Sequence, residues 1–361
     1  MYALSFALLA TLVTAAPQRA GQTAQQQTAQ QQAAQVPQGI SQAADGSTIL
    51  DDTVEVNGLP IRFKIAAPAD QFLAASGVPG AAATPANGTL GANVLLHGDG
   101  GQSFFDFPNQ NLQASTMGVA LLAPDPNLFW GGGAGLERTD GVAHAQAISD
   151  FITTTMPQLV AFNNAAVVFT GVSGGSLLMS GFFMPAQMQN FPNSAVELNC
   201  GALAPQVPFV DETVMQGLRV HYQSTQGELA ELQDAIPQAI VAYEQLAAGQ
   251  GLSAEQINAL QTVDNTPEGG HCEFDGVDFV SGVQTMLTSY AAVMQGWGGV
   301  VQGLGAPSNG LVNTGVVGNE QLQFVAARKR AEGGMVVNRW AQGGDMEEEG
   351  VRLLACGRVS C

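Results

Sequence analysis

The chain predicts an α/β fold: a mostly parallel sheet with an antiparallel hairpin at its N-terminal edge and helices on both faces. Three observations lead there. Short apolar runs alternate with stretches of helical periodicity between residues 93 and 294, the pattern of parallel strands joined by right-handed crossovers. Two β-rich runs meet at Asn57-Gly58, the dipeptide best suited to the left-handed backbone of a two-residue hairpin turn. Hydrophobic residues make up 46% of the 361 positions and charged ones 11%, a composition that fills one large core and leaves a sparsely charged surface.

In chain order, residues 1–16 read as a signal peptide. The apolar run in MYALSFALLATLVTAAPQRA is too short to span a bilayer and is followed by small residues suited to cleavage, so export to the extracellular space is expected. Residues 17–38 are a Gln/Ala-rich low-complexity leader with nothing to pack, expected to be flexible. Folding is expected to begin with the hairpin in STILDDTVEVNGLPIRFKIAAP. Further strands are expected at 93–96, 118–122, 165–170, 195–198, 218–222 and 257–263, and helices at 140–159, 176–189, 229–248 and 277–294. These define a domain over 39–305. Residues 306–361 are Gly-rich, lack periodicity and hold six of the eleven basic residues, with the Lys329-Arg330 pair among them. They read as an extension.

Charge narrows the choice of partners. The net charge is −19, and between Gly39 and Val300 there are 24 acidic residues against Arg62, Lys64, Arg138 and Arg219. Such a surface repels phosphate backbones and anionic lipid, so neither nucleic acid nor a membrane is an expected partner. HExxH, paired CxxC, GxGxxG and P-loop patterns are absent from the sequence, and no metal or cofactor is expected. Asn87-Gly88-Thr89 is an N-glycosylation acceptor. Export makes disulfides admissible for Cys200, Cys272, Cys356 and Cys361.

The chemistry centres on Gly171-Val172-Ser173-Gly174-Gly175, a G-x-S-x-G motif between a β-rich run and an apolar helical stretch. In that setting the serine stands on a sharp strand-to-helix turn, crowded enough to demand glycine on either side, and acts as nucleophile in α/β-hydrolases. Upstream, Leu95-Leu96-His97-Gly98-Asp99-Gly100-Gly101 ends an apolar run and resembles the HG-x oxyanion loop of lipases and esterases. The amides of Gly174 and of Asp99 or Gly100 are the expected oxyanion donors. The fold's order of nucleophile, acid and histidine leaves two histidines after Ser173. His221 lies inside a strand, so His271, in the polar loop PEGGHCEFD, is the expected base, while His97 reads as structural. The acid should follow the run at 218–222, which makes Glu228 the first choice, with Glu231 and Asp234 behind it; each also suits the first turns of a helix. Cys200 should end on the same side of the sheet as Cys272, so a disulfide between them would brace the histidine loop. Cys356 and Cys361 suit a small terminal loop. Phe104, Phe105, Phe107, Phe129 and Trp130 suit either core packing or an acyl pocket.

The segments LLHGDGGQSFFDFPNQ, FWGGG with RTDGVAHA, FTGVSGGS and EGGHCEFD resemble those of the secreted polyhydroxybutyrate-depolymerase-like and feruloyl-esterase-like α/β-hydrolases, fungal members in particular. The likeness covers roughly residues 47–300. It departs at Val172, where tannase-type feruloyl esterases carry a cysteine paired with one after the histidine. The resemblance implies a serine esterase acting through an acyl-enzyme on acetyl or feruloyl esters of polysaccharide, or on an aliphatic polyester. A secreted peptidase of the same fold and a catalytically silent binding protein are the alternatives.

Overall fold

A computed structural model describes residues 27–82, 88–106, 116–192, 194–295 and 322–325. The expected signal peptide, Asn87, Phe107, Lys329-Arg330, Cys356 and Cys361 lie outside the described residues. A sheet of nine strands runs in the order β1-β2-β3-β5-β4-β6-β7-β8-β9. These strands are Gly39–Gln42, Thr48–Val56, Leu59–Ala67, Gly91–Leu96, Thr116–Leu122, Val167–Val172, Ala195–Asn199, Arg219–Gln223 and Gln261–Asp264, numbered β1 to β9. The first three pair antiparallel, β3 joins β5 antiparallel, and every later pairing is parallel. Asn57 (φ 53°) and Gly58 (φ 78°) turn the chain between β2 and β3, both in the left-handed region that a two-residue hairpin requires.

Both faces of the sheet are covered. On one, Val94, Val119, Phe169, Val196 and Val220 share a core with Ile148, Leu178 and Ile240, which belong to the helical stretches that begin at Gly141, Gly174 and Ala230. On the other, Leu95, Ala120, Leu122 and Val172 pack with Phe104, Val283 and Met286, the last two from the helix Phe279–Gln295. All six residues of β4 are buried, as a central parallel strand covered on both faces must be. The α/β-hydrolase arrangement expected from the sequence, mostly parallel with an antiparallel N-terminal edge, is therefore the one adopted. Among the described residues no helix is long and apolar enough to cross a membrane.

Three expectations need correction. The leader is not wholly without packing: Ala29–Ala33 is a helix closed by a Thr28/Gln31 capping box, and buried Arg62 donates from Nη1 to Ala33 O at 2.9 Å. That contact seats Ala33, 3% exposed, against the body. The run at 257–263 is half helix, because the Ser253/Gln256 capping box starts a helix over Ala254–Leu260 and leaves only Gln261–Asp264 as strand. The domain also reaches past residue 305. Leu322 packs on the core, Gln323 N donates to Asn265 Oδ1 at 2.7 Å, and Val325 N donates to Gln226 O at 2.9 Å.

Candidate active site

Four segments meet at the carboxyl ends of the parallel strands. Ser173 directly follows β6 with φ 48° and ψ −114°, a left-handed backbone for a non-glycine residue that the surroundings must enforce. They do so at close quarters: a Cβ on Gly171 would lie 2.7 Å from Ser176 Cα, and one on Gly175 would lie 2.2 Å from Leu96 O. Asn199, at the end of β7, accepts from Ser173 N at 2.8 Å and donates from Nδ2 to Gly171 O at 3.1 Å, bracketing the turn from the next strand.

Ser173 Oγ lies 2.9 Å from His271 Nε2, and His271 Nδ1 lies 2.5 Å from Glu228 Oε2. With Nδ1–H donated to the carboxylate, Nε2 keeps its lone pair for the serine proton. The Glu228 side chain is fully buried and that of His271 is 21% exposed, so the carboxylate is sealed while the imidazole reaches solvent. Glu228 Oε1 accepts from Thr225 N at 3.3 Å. The loops carrying these two residues touch: Gln226 N donates to Pro267 O, Gly227 N to Gly269 O, and a Cβ on Gly227 would lie 2.5 Å from Gly269 O. Of the three acids considered, Glu228 alone is brought to His271. Glu231 and Asp234 lie on the helix Ala230–Gly249 and line a cleft of about 810 Å³ together with Arg138, Thr139, Phe182 and Leu203.

Cys200 and Cys272 form a disulfide. Each has a positive φ, 48° and 59°, and the bond ties the residue after His271 to the end of β7. Their sulfurs and His271 are close enough together to hold a metal ion, but with both sulfurs bonded to each other neither offers a thiolate.

The loop expected to hold the oxyanion follows β4. Among the described residues the amides of Gly174 and Asp99 donate to nothing else, whereas Gly100 N is engaged by Leu128 O at 3.2 Å. Of the two amides expected from this loop, that of Asp99 is therefore the unengaged one. His97 is structural as expected. It is fully buried, its Nε2 accepts from Ala123 N at 2.9 Å, its Nδ1 donates to Gly98 O, and burial depresses its pKa to about 4. Of the aromatic cluster, Phe104 and Trp130 are buried and belong to the core, and Trp130 lies tilted over the His97 ring. Phe105 and Phe129 are half-buried.

Arg138 was not singled out from the sequence as a site residue, yet its guanidinium grips the Asp99 carboxylate through both ends, each at 2.9 Å. Its rarity was the available signal, since it is one of four basic residues in an acidic body. Arg62, Lys64 and Arg138 are all buried, as are the acids Asp51, Glu197, Glu228, Glu244 and Asp264.

No protein-family model matches the chain, and no curated protein is similar to it in sequence. Solved structures resemble it at low identity. A thermostable esterase matches at 14% identity and TM-score 0.47, over 68% of this chain and 61% of its own. One of two fungal esterases from Rhizomucor miehei matches at 13% identity and TM-score 0.44, over 75% of this chain and 89% of its own. A ferulic acid esterase matches at 12% identity and TM-score 0.42, over 69% of this chain and 97% of its own. This chain thus spans about three fifths of the thermostable esterase's length.

Proposed function

We propose that the chain is a secreted serine hydrolase of carboxylic esters, with Ser173 as nucleophile, His271 as general base and acid, and Glu228 as the carboxylate that orients and charges the imidazole. The observation that carries the reading is the unbroken relay from Ser173 Oγ to His271 Nε2 at 2.9 Å and from His271 Nδ1 to Glu228 Oε2 at 2.5 Å. In the first half-reaction the Ser173 proton passes to His271 Nε2 as Oγ bonds to the ester carbon, and the former carbonyl oxygen takes the negative charge beside the amides of Gly174 and Asp99. The imidazolium formed is stabilised by Glu228 and returns the proton to the departing alcohol. Water then repeats the cycle on the acyl-enzyme and releases the acid.

The buried cations and acidic exterior favour esters without a second negative charge. Polysaccharide acetyl or feruloyl esters and neutral aliphatic polyesters fit that condition. The test is a panel of nitrophenyl esters, methyl ferulate and acetylated xylan with wild type and Ser173→Ala, alongside labelling by a fluorophosphonate probe. A loss of up to about a millionfold in turnover on a retained fold is expected for Ser173→Ala. Comparable hydrolysis by both proteins, or a wild type that is neither labelled nor active, overturns the reading.

A further inference from the structure

We infer that Arg138 is a positioning residue of the oxyanion site, needed for its charge: it neutralises a carboxylate that the fold places against the oxyanion donors. The inference rests on the acyl-transfer reading of Ser173, His271 and Glu228. Asp99 supplies one of the two free amides, and its side chain turns onto the residue that supplies the other. A Cβ on Gly174 would lie 1.9 Å from Asp99 Oδ1 and 3.1 Å from Oδ2, so the carboxylate packs directly against the Gly174 Cα. Negative charge at that spot opposes the charge that develops on the substrate oxygen.

Arg138 cancels it. Nη1 and Nη2 donate to Oδ1 and Oδ2 at 2.9 Å each, and the guanidinium is fixed from behind by Nη1 to Trp130 O at 3.1 Å and Nη2 to Gly135 O at 2.8 Å. The Arg138 side chain is 1% exposed and that of Asp99 25%, so solvent screens the pair only in part. No other described cation is placed to help. Arg62 is paired with Asp51, Lys64 donates to Phe104 O, and Arg219 opens β8 at the end of the sheet away from the site. A neutral pair of side chains would hold the loop as well as an ion pair does. The charge on Arg138 is required because Asp99 is charged.

Unit charges roughly 6 Å apart at an effective dielectric near 20 interact strongly enough to change a rate by about two powers of ten. The test uses the full chain, a short nitrophenyl ester, and thermal melting to establish folding. Arg138→Gln should lower kcat about 100-fold with KM changed less than about threefold. Adding Asp99→Asn to that variant removes the stranded carboxylate and should restore kcat at least about tenfold. An Arg138→Gln variant as fast as wild type overturns the inference, and so does a double variant no faster than Arg138→Gln, which is what a purely structural clamp gives. If Arg138→Gln fails to fold, the double variant decides alone: kcat within about thirtyfold of wild type upholds the inference and a larger loss overturns it. A wild type that is inactive and unlabelled by a fluorophosphonate instead refutes the underlying acyl-transfer reading, and the role of Arg138 falls with it.

Discussion

Glu197→Gln should abolish a loss of stability that the wild-type protein suffers above pH 6.5. Glu197 lies in the middle of β7, its carboxyl fully buried with neither oxygen hydrogen-bonded, and burial pushes its pKa up to about 8. Among the described residues no ion pair reaches it. His221, opposite it on β8, is held neutral by burial with a pKa lowered to about 4, and Tyr290 is raised well above 10, first by burial and then by Glu197 itself. Between the ordinary carboxylate value near 4.5 and about 8, the folded chain keeps a proton that the unfolded chain has released. Stability therefore falls as pH rises through that window, by about 1.4 kcal/mol per unit for one proton. His97 and His221 act oppositely. Their folded values near 4 lie below the ordinary 6.5, so the stability they contribute is present above 6.5 and is lost on acidification. The two histidines outweigh Glu197 below pH 6.5, and above it their contribution tapers off and Glu197 prevails. Stability should peak near pH 6.5 and fall by roughly 1 kcal/mol by pH 8. Urea unfolding at pH 6.5, 7.2 and 8 measures this. A flat wild-type profile, or the same decline in Glu197→Gln, refutes the reasoning.

Glu228→Gln should keep the melting temperature and lose about 10⁴-fold in ester turnover, because the amide favours the wrong imidazole tautomer. Glu231→Gln and Asp234→Asn, both on the helix Ala230–Gly249, should change turnover less than about threefold in the same assay, as exposed helix residues do. Cys200→Ser opens a disulfide between residues 72 apart in sequence and should cost about 4 kcal/mol in urea unfolding by loop-closure entropy. Ending the chain at residue 320 removes the bonds from Gln323 N to Asn265, from Val325 N to Gln226 O and from Gln233 Nε2 to Val325 O. The cost should be about 3 kcal/mol.

The fold was legible wherever a demand local to a few residues dictates the choice of amino acid. A strand buried on both faces is mostly apolar, as β4 and β6 are apart from Asn93 and Thr170, which hydrogen-bond each other, and a two-residue hairpin needs residues that tolerate positive φ, as Asn57-Gly58 do. β1 escaped notice because all four of its residues are exposed and its place depends on the open backbone edge of β2. At 257–263 the apolar residues suit either period. The Ser253/Gln256 capping box was readable as a helix start and should have outweighed them.

The site divides along the same line. Ser173 was legible because its turn is marked by glycines two positions on either side, Gly171 and Gly175, although the crowding at Gly175 comes from Leu96 and His97. Glu228 stayed open against Glu231 and Asp234 because its selection depends on two loops in contact, and its partner His271 is 43 residues away. Asp99 and Gly100 were separated only by the carbonyl of Leu128, which engages the Gly100 amide from another loop and belongs to a residue with φ 56°. Arg138 binds Asp99 from 39 residues away, and Arg62 binds Ala33 from 29. In each of these pairs the residue types fit many partners and only the folded chain selects one. In an acidic body with four basic residues, however, a buried arginine needs a carboxylate or several carbonyls to offset its desolvation. Each such arginine therefore marks a structurally committed acid, and at Arg138 that acid is Asp99 in the loop after β4.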